Sequence, residues 1–201
     1  MIIMPVIKYK KILEQIMKKP VFTPKDLHNE KIPENYSKKL LFTLVRSGRI
    51  KRIERGKYTC LEDPIAVATH ITEPCYLTLW TAMSIRGLTT QIPFAVEVAT
   101  SRKRFKKKIV FQDTPIIFYT VNPKMMFGYE NIIWGNEIRI PVAKPEKIVI
   151  DALCMNRIPE EEIMRIIKNS DRVLLRKYAE LTSDEVMKKI KELIECSRRK
   201  R

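Results

Sequence analysis

The chain has 201 residues, 45% of them hydrophobic, and its 39 Lys and Arg against 23 Asp and Glu give a formal net charge of +16. That apolar share excludes a disordered chain, and the length supports one large domain or two small ones with a true core. The longest uncharged stretch, residues 74–85, falls short of the roughly 18–20 residues of a membrane span, and Lys8, Lys10 and Lys11 follow residues 1–6 too closely for a signal peptide.

Ile7, Ile12, Leu13, Ile16 and Met17 recur at helical spacing and predict a first amphipathic helix, ended by Lys19-Pro20. Thr23-Pro24-Lys25-Asp26 reads as a helix start, with a Thr cap, Pro at the first helical position and an acid three residues after the cap. Asn29 and Pro33 close that second helix. A third is expected over about residues 35–47, with Ser37, Leu41, Leu44 and Val45 inward and Gly48 as the left-handed residue past its end. Its outward face carries Asn35, Tyr36, Lys38, Lys39, Phe42 and Arg46. After Gly48 the apolar period changes to two. Residues 49–53 and 57–60 flank Glu54-Arg55-Gly56 and predict a hairpin.

Three short helices followed by a basic hairpin make the plan of a winged helix-turn-helix domain, expected over residues 1–61. In that plan the third helix enters the major groove of double-stranded DNA, and the hairpin lies along the backbone or in the minor groove. Candidate DNA contacts are Asn35, Tyr36, Ser37, Lys38, Lys39 and Arg46 on the helix, and Arg49, Lys51, Arg52, Arg55 and Lys57 on the hairpin. Cations suit this partner because neutralising phosphates releases condensed counterions. Residues 1–60 hold 15 Lys and Arg against 5 Asp and Glu, and between Asn35 and Cys60 Glu54 is the one acid. A face that is merely solvated normally interleaves both signs. The bland alternative is a protein–protein module with a Lys-rich surface.

Glu62-Asp63-Pro64 opens a helix running to about Thr72, which puts the domain boundary near residue 61 with no flexible linker. Residues 76–85 read as an apolar helix from a Thr78 cap, stopped by Gly87. Strands are expected at about 94–100, 109–112, 116–121 and 138–142, and helices at 145–155, 159–168, 172–181 and 183–199. The fold class is therefore α+β, with residues 62–201 forming a small, mostly antiparallel sheet followed by C-terminal helices. Trp80 and Trp134 are expected in the core.

Several segments resemble AbiEi-type antitoxins, the regulators paired with a nucleotidyltransferase toxin in abortive phage-infection systems. Arg55-Gly56-Lys57-Tyr58 is similar to the end of that family's wing, and residues 76–88 with Gln91-Ile92-Pro93 behind them resemble its Ser/Ala-Leu…Gly-Leu segment. Met126-Phe127-Gly128 resembles its Phe-Gly turn, and residues 142–153, with Lys144-Pro145-Glu146-Lys147 and Asp151, its Pro-Glu-Lys helix start. Arg86 departs from the usual His. The resemblance implies a cytoplasmic regulator whose N-terminal domain binds inverted repeats in its own promoter. It also implies a C-terminal domain that counteracts the toxin without a required stable complex.

The run Arg102, Lys103, Arg104, Phe105, Lys106, Lys107, Lys108 has two readings: a second phosphate-contacting loop, or a solvated hairpin tip. Residues 198–201 read as a frayed, basic helix end. Lys147 and Asp151 read as an i,i+4 helix pair rather than a catalytic one. The chain has no Gly-Ser dipeptide, no acid–x–Lys, no GxxxxGK and no GxSxG, so no enzyme is expected. Four cysteines without CxxC spacing and two histidines argue against a metal, and no cofactor is expected. The alternatives are a stand-alone winged-helix transcription factor without a toxin, or a partner-binding protein acting mainly through residues 62–201. An enzyme reading, a nuclease built from scattered carboxylates, comes after these.

Overall fold

A computed structural model describes residues 9–135 and 137–199, the last four of these by backbone alone. The first helix, α1 (Lys10–Ile16), buries Leu13 and Ile16; Ile7 and Lys8 lie outside the described residues. At α2 (Pro24–Asn29) the Asp26 carboxylate accepts from both the backbone N and Oγ1 of Thr23 at 2.8 Å, closing a capping box. Next, α3 (Glu34–Arg46) buries Ser37, Leu40, Leu41 and Leu44. Gly48, at φ +71°, lets the chain turn back so that the Arg49 N–H donates to the Leu44 carbonyl at 3.0 Å.

The hairpin pairs β1 (Lys51–Glu54) antiparallel with β2 (Lys57–Thr59). Phe22 adds a bridge that sequence periodicity did not predict. Its N–H and carbonyl exchange hydrogen bonds with Tyr58 at 2.9 Å, tying the hairpin back to the helices. One core collects Leu13, Phe22, Leu27, Leu41, Leu44 and Ile50. Ile53 belongs instead to a second, larger core, so the hairpin is held from both sides.

After α4 (Pro64–Ala68), whose N-terminal amide at Ile65 is capped by Asp63 Oδ1 at 2.9 Å, the chain enters a six-stranded sheet. Its strands are β3 (Cys75–Leu77), β4 (Val96–Thr100), β5 (Lys108–Phe111), β6 (Thr114–Thr120), β7 (Tyr129–Trp134) and β8 (Ile138–Ala143). They lie in the order β5-β6-β4-β3-β8-β7. The β6–β4 and β3–β8 pairings are parallel and the other three antiparallel, so antiparallel pairing predominates as expected, but the sheet is larger than the small one expected and is mixed. β3 and β7 were missed. Cys75-Tyr76-Leu77 is three residues buried on every side, which leaves no alternation to read.

The helix after β3 is α5 (Leu79–Ile85), which starts from Thr78 at its N-cap position as expected, while Tyr76 and Leu77 of the same apolar segment pair in the sheet. By contrast, α4 stops at Ala68 rather than Thr72. Four helices close the chain: α6 (Pro145–Met155), α7 (Glu160–Asn169), α8 (Arg172–Glu180) and α9 (Asp184–Arg199). Lys200 and Arg201 of the basic tail lie outside the described residues. Trp80 and Trp134 sit half-buried at the edge of the larger core, and Trp134 Nε1 donates to Asp63.

Two polar clusters hold these layers. Arg86, where the resembled family has His, donates to the carbonyl of Val142 and to Glu130 at 3.2 and 3.0 Å, joining α5 to the β7–β8 pair. Lys147 and Asp151 of α6 form a 2.7 Å ion pair with both side chains fully buried. Asp151 also accepts from Thr78 Oγ1 at 2.7 Å and from the Tyr76 hydroxyl at 3.3 Å, while Lys147 Nζ lies 4.4 Å from the Phe127 ring centroid. No buried side-chain polar atom among the described residues is left without a partner.

Candidate nucleic-acid interface

Helical spacing sets the first part of the interface. Asn35, Lys38, Lys39, Phe42 and Arg46 recur three, four and seven residues apart on α3, and all five are exposed while Leu40, Leu41 and Leu44 face inward. Lys38 is tied to Glu34 at 2.7 Å. Lys39 and Arg46 have no ion-pair partner among the described residues. Phe42 is 66% exposed in the middle of this basic stripe, an apolar side chain that no packing demand explains. Tyr36 is half-buried, its ring 5.4 Å from that of Tyr9, and burial raises its pKa.

Ser37 is a correction. It is fully buried and its hydroxyl donates to the Ile32 carbonyl at 3.4 Å, so it holds α3 in place and cannot reach DNA. The conflict was visible in the sequence, where Ser37 falls on the same face as Leu41 and Leu44.

On the hairpin, Arg49, Arg52 and Arg55 are exposed, with Arg55 at the turn. Arg52 Nε donates to the Glu54 carbonyl at 3.4 Å, and Lys51 pairs with Glu62 at 2.7 Å. Lys57 is turned inward. Its ammonium bonds the Ile71 carbonyl and lies 3.0 Å from Glu54, making it a strut rather than a contact.

The basic run joins β4 to β5, and the structure brings it against the hairpin turn. Arg104 is the joint: its Nη2 donates to Glu54 Oε2 at 2.8 Å, and its guanidinium lies 4.1 Å from the Phe118 ring centroid. With only 9% of its side chain exposed, Arg104 too is corrected from a DNA contact to a pin. Arg102 is exposed and donates to the Glu73 carbonyl at 3.1 Å. Lys103, Lys106, Lys107 and Lys108 are exposed and without ion-pair partners among the described residues, and Phe105 stands fully in solvent. A cleft of about 510 Å³ separates the hairpin turn from this loop, lined by Arg55, Arg102, Lys103 and Lys106.

The Glu54 carboxylate, the one acid of residues 35–60, therefore serves both partners. Burial acts to raise its pKa, and Lys57 and Arg104 together outweigh that and hold it below the ordinary carboxylate value. Sequence inspection marked Glu54 as an exception to the basic pattern without assigning it this task, because the partner lies 50 residues away.

Among the described residues no group of His, Cys, Asp and Glu could hold a metal ion, and no helix is long and apolar enough to cross a membrane. A family model described as "Transcriptional regulator, AbiEi antitoxin" matches residues 11–59. The resemblance read from the sequence is thus met by a match over α1, α2, α3 and the hairpin. Of the four quoted motifs, the one at residues 55–58 falls inside it. The comparison with curated proteins found no match.

Proposed function

We propose that the protein is a DNA-binding transcriptional regulator in which residues 1–61 act as a winged helix-turn-helix domain and residues 62–201 as an antitoxin-type domain. In this reading α3 enters the major groove. Lys39 and Arg46 reach base edges or flanking phosphates, Lys38 and Asn35 lie beside them, and Phe42 offers an apolar contact to a thymine methyl. Arg52 and Arg55 follow the backbone from the hairpin, with Arg49 and Lys51 at its base. Arg102, Lys103, Lys106, Lys107 and Lys108 extend the phosphate contacts from the pinned loop.

The observation that carries the reading is the presence of unpaired cations on the outward face of α3, at the hairpin turn and on the loop fastened to that turn by Glu54–Arg104. The family match over the same helices and hairpin supports it. The finer proposal is autoregulation: binding to inverted repeats in its own promoter, as the partner of a nucleotidyltransferase toxin that it counteracts without a required stable complex.

Fluorescence anisotropy of the full chain tests this, with DNA from upstream of its own gene against scrambled DNA of equal length across a salt series. The expected preference is at least about a hundredfold, within the range that separates specific from non-specific binding. Lys39→Ala is expected to cost about 1–3 kcal/mol on the preferred site and relax its preference. Arg55→Ala is expected to weaken every sequence alike and lower the salt slope by about 1. Equal binding to both DNAs would overturn the operator reading.

A second reading, partner binding through residues 62–201, is favoured by Ile92 and Phe94, which stand in solvent beside Trp80. Co-purification with one partner in high salt, with no DNA affinity, would select it.

A further inference from the structure

A cavity of about 690 Å³ opens in the second half of the molecule, away from the helices matched by the family. One wall is β6, and the others are the short 3-10 turn Pro123–Met125, the C-terminal end of α6 and the connection from α8 to α9. Three cations line it: Lys107, Lys124 and Arg157. All are exposed, and none has an ion-pair partner among the described residues. This sets them apart from Arg86, Lys144, Arg165 and Lys189, each paired with a glutamate.

The acid on the lining, Asp151, is buried and already neutralised by Lys147. The nearby Glu97 carboxylate is occupied from two sides, accepting from the Trp80 backbone N–H and the Tyr119 hydroxyl at 2.9 Å each. Burial pushes its pKa up, against those hydrogen bonds and the charge of Arg157, with which it makes no ion pair among the described residues. Positive charge in a concave, partly dry wall attracts anions more strongly than the same charge on a convex surface. The lining also carries the apolar side chains Val121, Met125, Met155 and Leu181. Thioether side chains of this kind pack well against flat rings.

The volume falls within the range of about 300–1,000 Å³ usual for small-molecule sites, enough for a ring system with its charged tail. We propose that this cavity binds a nucleoside phosphate. Arg157, whose planar fork matches phosphate oxygens, and Lys124 take the phosphates, and the base lies on Met125, Met155 and Leu181. Lys107 is shared with the loop of the proposed DNA face, but Arg157 and Lys124 are not, so the site stands or falls by its own test on those two residues.

Isothermal titration of the full chain with ATP and with CTP, at about 0.15 M salt to screen long-range attraction, provides that test. Saturable one-site binding is expected for at least one nucleotide, with inorganic phosphate and adenosine each about tenfold weaker or more. The double variant Arg157→Gln/Lys124→Gln is expected to weaken the nucleotide by about tenfold or more. Both positions are exposed, and an unchanged thermal midpoint verifies the fold. Lys39→Gln/Arg55→Gln, on the proposed DNA face, is expected to leave nucleotide binding unchanged. No saturable binding, or binding indifferent to Arg157→Gln/Lys124→Gln, overturns the proposal. Equal loss in both double variants would mark general polyanion attraction and overturn it too. Displacement of the nucleotide by a single-stranded oligonucleotide that binds tenfold tighter would overturn it in favour of a strand-binding groove.

Discussion

Two helices of this protein carry the same local device in opposite surroundings. On α3, Glu34 and Lys38 are an acid and a lysine four residues apart, with 63% and 68% of their side chains exposed; on α6, Lys147 and Asp151 have the same spacing and none. The N–O distance is 2.7 Å in both. The contact distance therefore does not distinguish them, although the acid precedes the lysine on α3 and follows it on α6. In water the pair gains little, since solvent and salt screen it and each long side chain gives up rotamer freedom. In the core both charges have lost hydration, and each depends on the other, Asp151 also on the Thr78 and Tyr76 hydroxyls that donate to it.

The sharpest way to break this comparison is to remove one buried partner. Asp151→Ala leaves the Lys147 ammonium buried without its counter-charge and is expected to cost about 3–5 kcal/mol in urea unfolding. Lys147→Met/Asp151→Leu, which removes both charges while keeping bulk, is expected to cost clearly less than the single change. A double variant as unstable as Asp151→Ala would mean that packing rather than charge sets the requirement.

Gly128 sharpens it next. At φ +71° a Cβ here would lie 2.8 Å from Tyr178 Cε2 and 3.0 Å from Lys147 Cβ. The turn must pass close to α6 for Phe127 to cover the Lys147 ammonium, and Glu130 and Tyr129 follow directly on β7. Gly128→Ala combines crowding with an unfavourable backbone and is expected to cost about 1–3 kcal/mol.

These sites also show what sequence can and cannot announce. Local chemistry was readable. Thr23 with Asp26, Asp63 before Pro64 and Gly48 after Arg46 each mark a helix end through contacts made within a few residues. The outward stripe of α3 followed from its period alone. What failed to show was whatever depends on distant strands. Lys147 and Asp151 read as an ordinary i,i+4 pair because nothing near them says that Tyr76, Thr78 and Phe127 will close over them. Similarly, Arg104 and Lys57 looked like two more cations of a basic surface until Glu54 was seen to hold both. Parallel β6–β4 pairing is invisible to any local pattern.

Between the two extremes lies the Glu54 pin, half-buried and shared by two cations. Glu54→Gln and Arg104→Gln are each expected to destabilise, and their effects should overlap with a coupling of about 1 kcal/mol in a double-mutant cycle. The pH dependence follows from the lowered pKa. A carboxyl whose folded value lies below its ordinary 4.5 contributes in full above that value, and the contribution is lost as pH falls through the folded value. Stability below about pH 4.5 should therefore fall less steeply in Glu54→Gln than in the unmodified protein. Equal slopes would mean that neither Lys57 nor Arg104 stabilises the charged Glu54 carboxylate in the folded protein.

The mildest change touches the exposed pair. Glu34→Gln removes the counter-charge of Lys38 from a site where both groups are already hydrated, so the unfolding midpoint is expected to stay where it is. Its effect should appear on DNA instead. Lys38 loses a competitor for phosphate, so affinity should rise and the salt slope steepen by up to about 1. Steepening without added sequence preference would place Lys38 on the backbone, and a gain confined to the preferred site would place it on a base edge. A fall in affinity would mean that Glu34 itself orients Lys38 for binding, making the exposed pair a positioning device despite its small share in stability.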